Sequence, residues 1–301
     1  MAQELAVDAD ALREQVREKY REVALDPQAQ AWKTFYLRNK PAAYGVDVTE
    51  GTTPVWQRLA NLDQAKSNYG AIVYNKAPSV LKQLDYLVGD SAFRAGVQLF
   101  LRRHPYGNAT WRELLAAIGE ASGRDLTAWG DAYILRRGTP VLEATPVYDT
   151  QGRTLVGVRV RQRPAQPGVS GARATWPMRT ELLVRRAADA EPVRIPVTLG
   201  RADTLVRVPN GLRTAMDDVL LHPNARDYAY AVTMLDSGSI RWAEARIGSV
   251  GDAFERAMLW GSLWDVVREA KLAPMRYVAL AMRELPREAD EQIVPSVLGR
   301  T

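Results

Sequence analysis

The period of the apolar residues changes twice along this chain, and those two changes limit the folds open to it. Up to about residue 138 apolar side chains recur at three- and four-residue steps, the spacing of amphipathic helices. From Val141 to Val208 they alternate at two-residue steps or form β-branched runs, the spacing of strands. From Ser239 the helical period returns. Helices, then strands, then helices argue for separate layers or domains and against a βαβ sheet.

The individual elements follow from local signals. Leu5, Leu12, Val16, Tyr20 and Val23 mark a charged helix over 2–24, and Pro41, Gly45, Gly51 and Pro54 mark a loop over 39–62. A buried helix is expected over 71–88 and a second over 91–103, capped by Ser91. Thr110 with Glu113 three residues on is a capping-box pattern for a third helix that stops near Gly123, and a fourth runs over 126–135. Strands are expected over 141–148, 154–163, 178–185, 193–199 and 204–208, separated by turn residues, which suggests an antiparallel β-sandwich. Phe254, Met258, Leu259, Leu263, Trp264 and Val267 then line a helix, Pro274 opens another through Leu285, and Asp290 begins a third.

Composition narrows the chemistry. The chain has 301 residues, which at roughly 150 residues per domain suggests about two domains. It has no cysteine, so disulfides, Cys-ligated metals and thiol nucleophiles are excluded. Its two histidines, His104 and His222, argue against a self-contained zinc hydrolase, which needs two or three imidazoles. The net charge is +5, and arginines are spread among acids without interleaved aromatics, so nucleic-acid binding is not expected. The densest basic stretch, Arg153 to Arg173, alternates with apolar residues and reads as an exposed strand face. No stretch is apolar over the roughly 18 residues of a membrane span. The N-terminus does not read as a signal peptide, so a cytoplasmic location is expected.

No HExxH, GxSxG, P-loop or Gly-rich dinucleotide turn occurs. His104 follows a helix and precedes Pro105, a position the helix dipole favours, and His222 precedes Pro223; both read as structural. Asp290 and Glu291 read as a helix cap. The segment Tyr74-Asn75-Lys76-Ala77-Pro78-Ser79 is different, because it places a phenol and an amine at the start of a long apolar helix.

Tyr74-Asn75-Lys76-Ala77 followed by Val80-Leu81 resembles the Tyr-x-Lys-Gly…Val-Leu segment of M1 zinc aminopeptidases, the aminopeptidase N group. The likeness continues in order through Leu87–Gly96, Arg103–Thr110, Glu120–Leu126 and Gly138–Leu142. Leu259-Trp260-Gly261-Ser262-Leu263-Trp264-Asp265 resembles the opening of that family's C-terminal helical domain.

The resemblance implies a multidomain α+β chain. Residues 1–140 would be the helical part of a thermolysin-like catalytic domain, 141–235 a β-sandwich, and 236–301 the beginning of a helical C-terminal domain. In the family, HExxH and a later glutamate hold zinc, which activates water against the first peptide bond. This chain resembles the region beginning after those ligands, with Met1-Ala-Gln-Glu-Leu similar to the tail of the ligand-bearing helix. Tyr74 matches the tyrosine that stabilises the oxyanion, Lys76 is assigned no chemistry, and Ala77 replaces the family glycine. Zinc and peptide N-termini belong to the complete enzyme. The chain alone is expected to hold no zinc and cleave nothing. Alternatives are a non-catalytic scaffold, or one subunit of a split enzyme completed by an upstream polypeptide with HExxH.

Overall fold

The computed structural model of the protein describes residues 27–186, 191–213 and 218–301, so the helix expected over 2–24 lies outside the described residues. The first half is helical, as its period requires. It runs through α1 (Pro27–Arg38), α2 (Lys40–Asp47), α3 (Leu62–Ser67), α4 (Ala77–Val88), α5 (Asp90–Arg103), α6 (Trp111–Ser122) and the short α7 (Thr127–Gly130).

Two expectations fail here for local reasons. Residues 40–47 are helical rather than loop. Pro41 sits in the first turn, where its missing N–H has no intrahelical partner to lose, and Lys40, Ala43, Tyr44 and Asp47 recur on the buried face. The second helix begins at Asp90, not after a Ser91 cap. Gly89 precedes it at φ 93°, a conformation that glycine adopts without a Cβ clash, and no side chain caps it. The helix expected over 126–135 is α-helical only at Thr127–Gly130 and continues as a π-helical turn over Asp131–Leu135. Thr110 and Glu113 form the reciprocal capping box, and Gly123 ends α6 at φ 64°. Gly96 lets α5 approach α6, since a Cβ there would lie 2.5 Å from the Ile118 Cα.

The strands are β1 (Pro140–Tyr148), β2 (Thr154–Pro164), β3 (Met178–Arg186), β4 (Val193–Leu199), β5 (Asp203–Arg213), β6 (Val219–His222) and β7 (Val232–Met234), with a single turn, α8 (Pro167–Ser170), between β2 and β3. They form two sheets, of order β5-β2-β1-β7 and β4-β3-β6. The first is not wholly antiparallel, because β7 runs parallel to β1. Neither β6 nor β7 was expected. Both are short and buried throughout, so they show no alternation to read.

On β2 the expected alternation is clear. Val158, Val160 and Gln162 point inward. On the other face, Arg159 and Arg161 bond Asp203 at 2.9 and 3.0 Å, and Arg163 pairs with Glu269. That face is a solvated charge ladder.

Four helices follow: α9 (Ser237–Arg246), α10 (Ala253–Arg268), α11 (Pro274–Glu284) and α12 (Ile293–Leu298). Asp290 precedes α12 and accepts the Gln292 and Ile293 backbone N–H groups, the expected cap. The buried apolar residues from Leu37 to Val297 form one cluster, so the helical segments and both sheets share a core. Among the described residues, three buried lysine–aspartate pairs cross it, Lys33 with Asp290, Lys40 with Asp227 and Lys76 with Asp47, and Arg185 with Glu255 forms a further buried ion pair. Among the described residues no helix is long and apolar enough to cross a membrane.

Candidate functional site

The segment that carries Tyr74 is not ordinary α-helix. Residues Ile72–Lys76 form a π-helical turn that runs directly into α4. Pro78 explains the break. It has no N–H to donate to the carbonyl four residues back, that of Tyr74, and its ring would clash there. The ladder widens instead, and the Ala77 N–H bonds the Ile72 carbonyl, five residues back. Such single wide turns are frequent at functional positions. Ala77, where the family has glycine, holds helical angles of φ −58° and ψ −45°, so its Cβ is no obstacle.

The wide turn divides its side chains. Ile72 and Lys76 point into the protein, with Lys76 only 1% exposed, whereas Tyr74 is 58% exposed. The Tyr74 ring meets Tyr69 edge-on, with centroids 5.9 Å apart. Trp56, Leu59, Leu62 and Tyr69, all in the preceding connection, are exposed as well.

Each of the two residues after Tyr74 is tied to one end of α2. The Asn39 side chain donates to Asn75 Oδ1 at 3.1 Å. Lys76 Nζ lies 2.8 Å from Asp47 Oδ2 and donates to the Gly138 carbonyl at 3.0 Å. Asp47 Oδ1 accepts the Thr52 hydroxyl at 2.6 Å, and the Lys76 ammonium lies 5.5 Å from the Tyr230 ring centre. Burial pulls the Lys76 amine below its ordinary range, and the Asp47 charge opposes that shift. Lys76 is thus a buried cation paired with Asp47. The loop expected over 39–62 hides Asp47, although Ala43, Tyr44 and Asp47 stand at helical steps.

The other sequence candidates lie elsewhere. His104 caps the C-terminus of α5, with Nε2 4.0 Å from Glu113 Oε1. His222 is buried at the end of β6. Its Nδ1 accepts the Asn224 backbone N–H at 3.3 Å, so Nε2 carries the proton and donates to the Ser262 hydroxyl 3.0 Å away. That tautomer leaves no basic nitrogen facing Ser262, so the pair is a structural contact and not a nucleophile with its base. Asp290 serves Lys33 and its helix.

Zinc sites take imidazole, thiolate or carboxylate ligands in convergent sets. Among the described residues no group of three or more His, Asp or Glu side chains is placed to hold a metal ion. With His104 at a helix end and His222 committed to Asn224 and Ser262, these residues do not fit zinc.

Two groups outside this region were not anticipated. Lys82 lies over the rings of Trp32, Tyr228 and Phe254 at 4.6 to 5.7 Å from their centres and donates to the Arg226 carbonyl. Burial lowers its pKa to about 8. Asp265 in α10 is pushed up to about 7, chiefly by burial and against the pull of Arg268 and Arg300. Only tertiary packing reveals either.

Comparison with known proteins places the phenol in a recognised domain. The model of the peptidase family M1 domain matches residues 15–133, which include the Tyr74 turn, α2 and Asp47. An aminopeptidase N of Streptomyces lividans is 34% identical over 273 residues, covering 89% of this chain and 31% of that protein. A match of that length extends past the domain into the sheets. An aminopeptidase N of Lactococcus lactis subsp. cremoris is 33% identical over 128 residues, 42% of this chain and 15% of its own. A puromycin-sensitive aminopeptidase of Caenorhabditis elegans is 28% identical over 129 residues, 43% of this chain and 14% of its own. The chain therefore spans a third or less of the length of these relatives. The ordered motifs from Tyr74 to Asp265, the matched domain and these relatives agree on one assignment: the chain belongs to peptidase family M1 and is aminopeptidase N-like.

Proposed function

We propose that this chain carries the oxyanion-binding side of an aminopeptidase site that removes N-terminal residues from peptides. The observation that carries the reading is the Tyr74 phenol, held outward on a π-helical turn within the matched domain. A phenol fixed in this way donates a hydrogen bond to the first peptide carbonyl as that oxygen gains charge. A donor aimed at a developing oxyanion is worth about 10²–10³ in kcat. Lys76 takes no part in proton transfer, since its ammonium is buried and committed to Asp47 and Gly138.

Zinc belongs to the family's reaction, but the described residues do not fit it, so no step is derived through the metal. On this reading the chain alone holds no catalytic zinc and turns over no peptide. Residues 1–140 supply the helical part of the catalytic domain, 141–235 the sheets that support it, and 236–301 the opening of a helical C-terminal domain. The exposed side chains Trp56, Leu59, Leu62, Tyr69 and Tyr74 along one connection favour a half-site completed by further polypeptide over a free-standing scaffold.

Two measurements test the proposal. The purified chain is assayed for bound zinc and for hydrolysis of aminoacyl-anilides, and neither is expected. The chain is then fused behind the segment that precedes the matched region in the Streptomyces lividans aminopeptidase N. Turnover is expected in the fusion, and Tyr74→Phe should lower kcat by about 10²–10³ with little change in KM. Stoichiometric zinc with turnover in the lone chain, or an unchanged kcat in Tyr74→Phe, refutes it.

A further inference from the structure

Among the described residues the Tyr74 ring meets one aromatic neighbour, Tyr69, which is itself exposed, so ring packing there does little to fix its direction. Its direction must come from the backbone. A π-helical turn is a poor frame by itself, because its hydrogen bonds are less well aligned than those of an α-helix and such turns persist only where the surroundings over-determine them. Here the surroundings do so at two successive residues, Asn75 through Asn39 and Lys76 through Asp47 and the Gly138 carbonyl. Asn39 and Asp47 bracket α2, so one short helix grips the turn from both of its ends.

An apolar pair would hold this turn at less desolvation cost, since burying an ion pair rarely stabilises more than well-packed hydrophobic groups of the same volume. What a charged pair adds is direction. Asp47 has one oxygen on Lys76 and the other on Thr52, and Lys76 Nζ serves Asp47 and Gly138 together. Sliding or rotating the turn by one residue would strand both buried charges.

We propose that Lys76 and Asp47, with the Asn39–Asn75 bond as a second clamp, are positioning residues for the Tyr74 hydroxyl. They hold the wide turn in the register that presents the phenol, and they touch no reacting atom. This inference rests on the reading of Tyr74 as the oxyanion donor, but its test needs no turnover, so the two can fail separately.

The test uses the lone chain and three variants, Lys76→Met, Asp47→Asn and Asn39→Ala, under conditions where each is fully folded by circular dichroism. Tyrosine nitration by tetranitromethane is read by peptide mass spectrometry, with the fully exposed Tyr106 as internal reference. Amide hydrogen exchange over 72–77 is compared with exchange over α6. Loss of either clamp is expected to raise exchange in the turn by about tenfold while α6 is unchanged. The Tyr74:Tyr106 nitration ratio should shift in the same variants. If the pair only supports global stability, the turn and α6 accelerate together and the nitration ratio stays at the wild-type value; either result overturns the proposal. If Lys76→Met does not fold, Asp47→Asn and Asn39→Ala decide it, since Asn39→Ala removes only one part-buried hydrogen bond. Unchanged exchange and an unchanged ratio in both would sink it.

Discussion

His222 accepts the Asn224 N–H, donates to Ser262, and is so well covered that burial lowers its pKa from 6.5 to about 4. The unfolded chain takes up a proton on this imidazole as pH falls through about 6.5, whereas the folded chain refuses it until about pH 4. Between those values the unfolded state binds more protons, so stability falls as pH falls. A gap of about 2.5 units at about 1.36 kcal/mol each gives a loss of about 3 kcal/mol, complete near pH 4 and absent above about pH 7.5. His222→Gln removes the titration and keeps an amide N–H within reach of the Ser262 hydroxyl. Urea unfolding of both proteins, followed by tryptophan fluorescence between pH 4 and 8, isolates the term as a difference. The wild type's advantage should shrink by about 3 kcal/mol on going from pH 8 to pH 4, most steeply near pH 5. A difference that stays constant over this range would show that the imidazole titrates alike in both states and would refute the reasoning.

Asp265 gives the opposite slope. Its carboxyl, 12% exposed, is pushed up to about 7 by burial, so the stability of its neutral form is present below about pH 4 and is lost as pH rises through 7. Asp265→Asn, which can still accept a backbone N–H, should gain on the wild type by up to about 4 kcal/mol between pH 4 and pH 8 in the same unfolding series. Lys40→Met leaves Asp227 buried without its cation and should cost about 3–5 kcal/mol; adding Asp227→Asn should return part of that, measured as a double-mutant cycle. Gly96→Ala drives a methyl group against the Ile118 backbone, a contact that the two helices relieve only by separating. It should cost about 1–3 kcal/mol and lower Tm by several degrees in a calorimetric scan.

Local signals found the elements wherever one face is dry and the other wet. The alternation of Val158, Val160 and Gln162 with Arg159, Arg161 and Arg163 defines β2 and its outward charge ladder without any fold in view. The Thr110–Glu113 box and Gly123 define both ends of α6 because capping is settled within one turn of chain. Where both faces are covered the pattern vanishes, and β6 and β7 went unseen for that reason. Helix α2 was obscured because Pro41, Gly45 and Gly51 punctuate its surroundings, although Pro41 stands at a helix start, where proline is welcome.

The candidate site divides along the same line. Tyr74 and Lys76 were legible because a short run of residues, Tyr-Asn-Lys-Ala before Pro78, carries a family resemblance, whereas the wide turn that holds them was not, since the apolar period predicts an unbroken helix over 71–88. Which way the two side chains point was not legible. That depends on Asp47, 29 positions upstream of Lys76, and on the Gly138 carbonyl, 62 positions downstream. The same holds for the lysines in general. Sequence shows seven among 33 arginines; only the fold shows Lys33, Lys40 and Lys76 buried against aspartates. Periodicity and capping act between near neighbours, so the chain itself dictates them. Burial of a charge depends on which distant carboxylate meets it in a medium that water has left, and only the assembled core decides that.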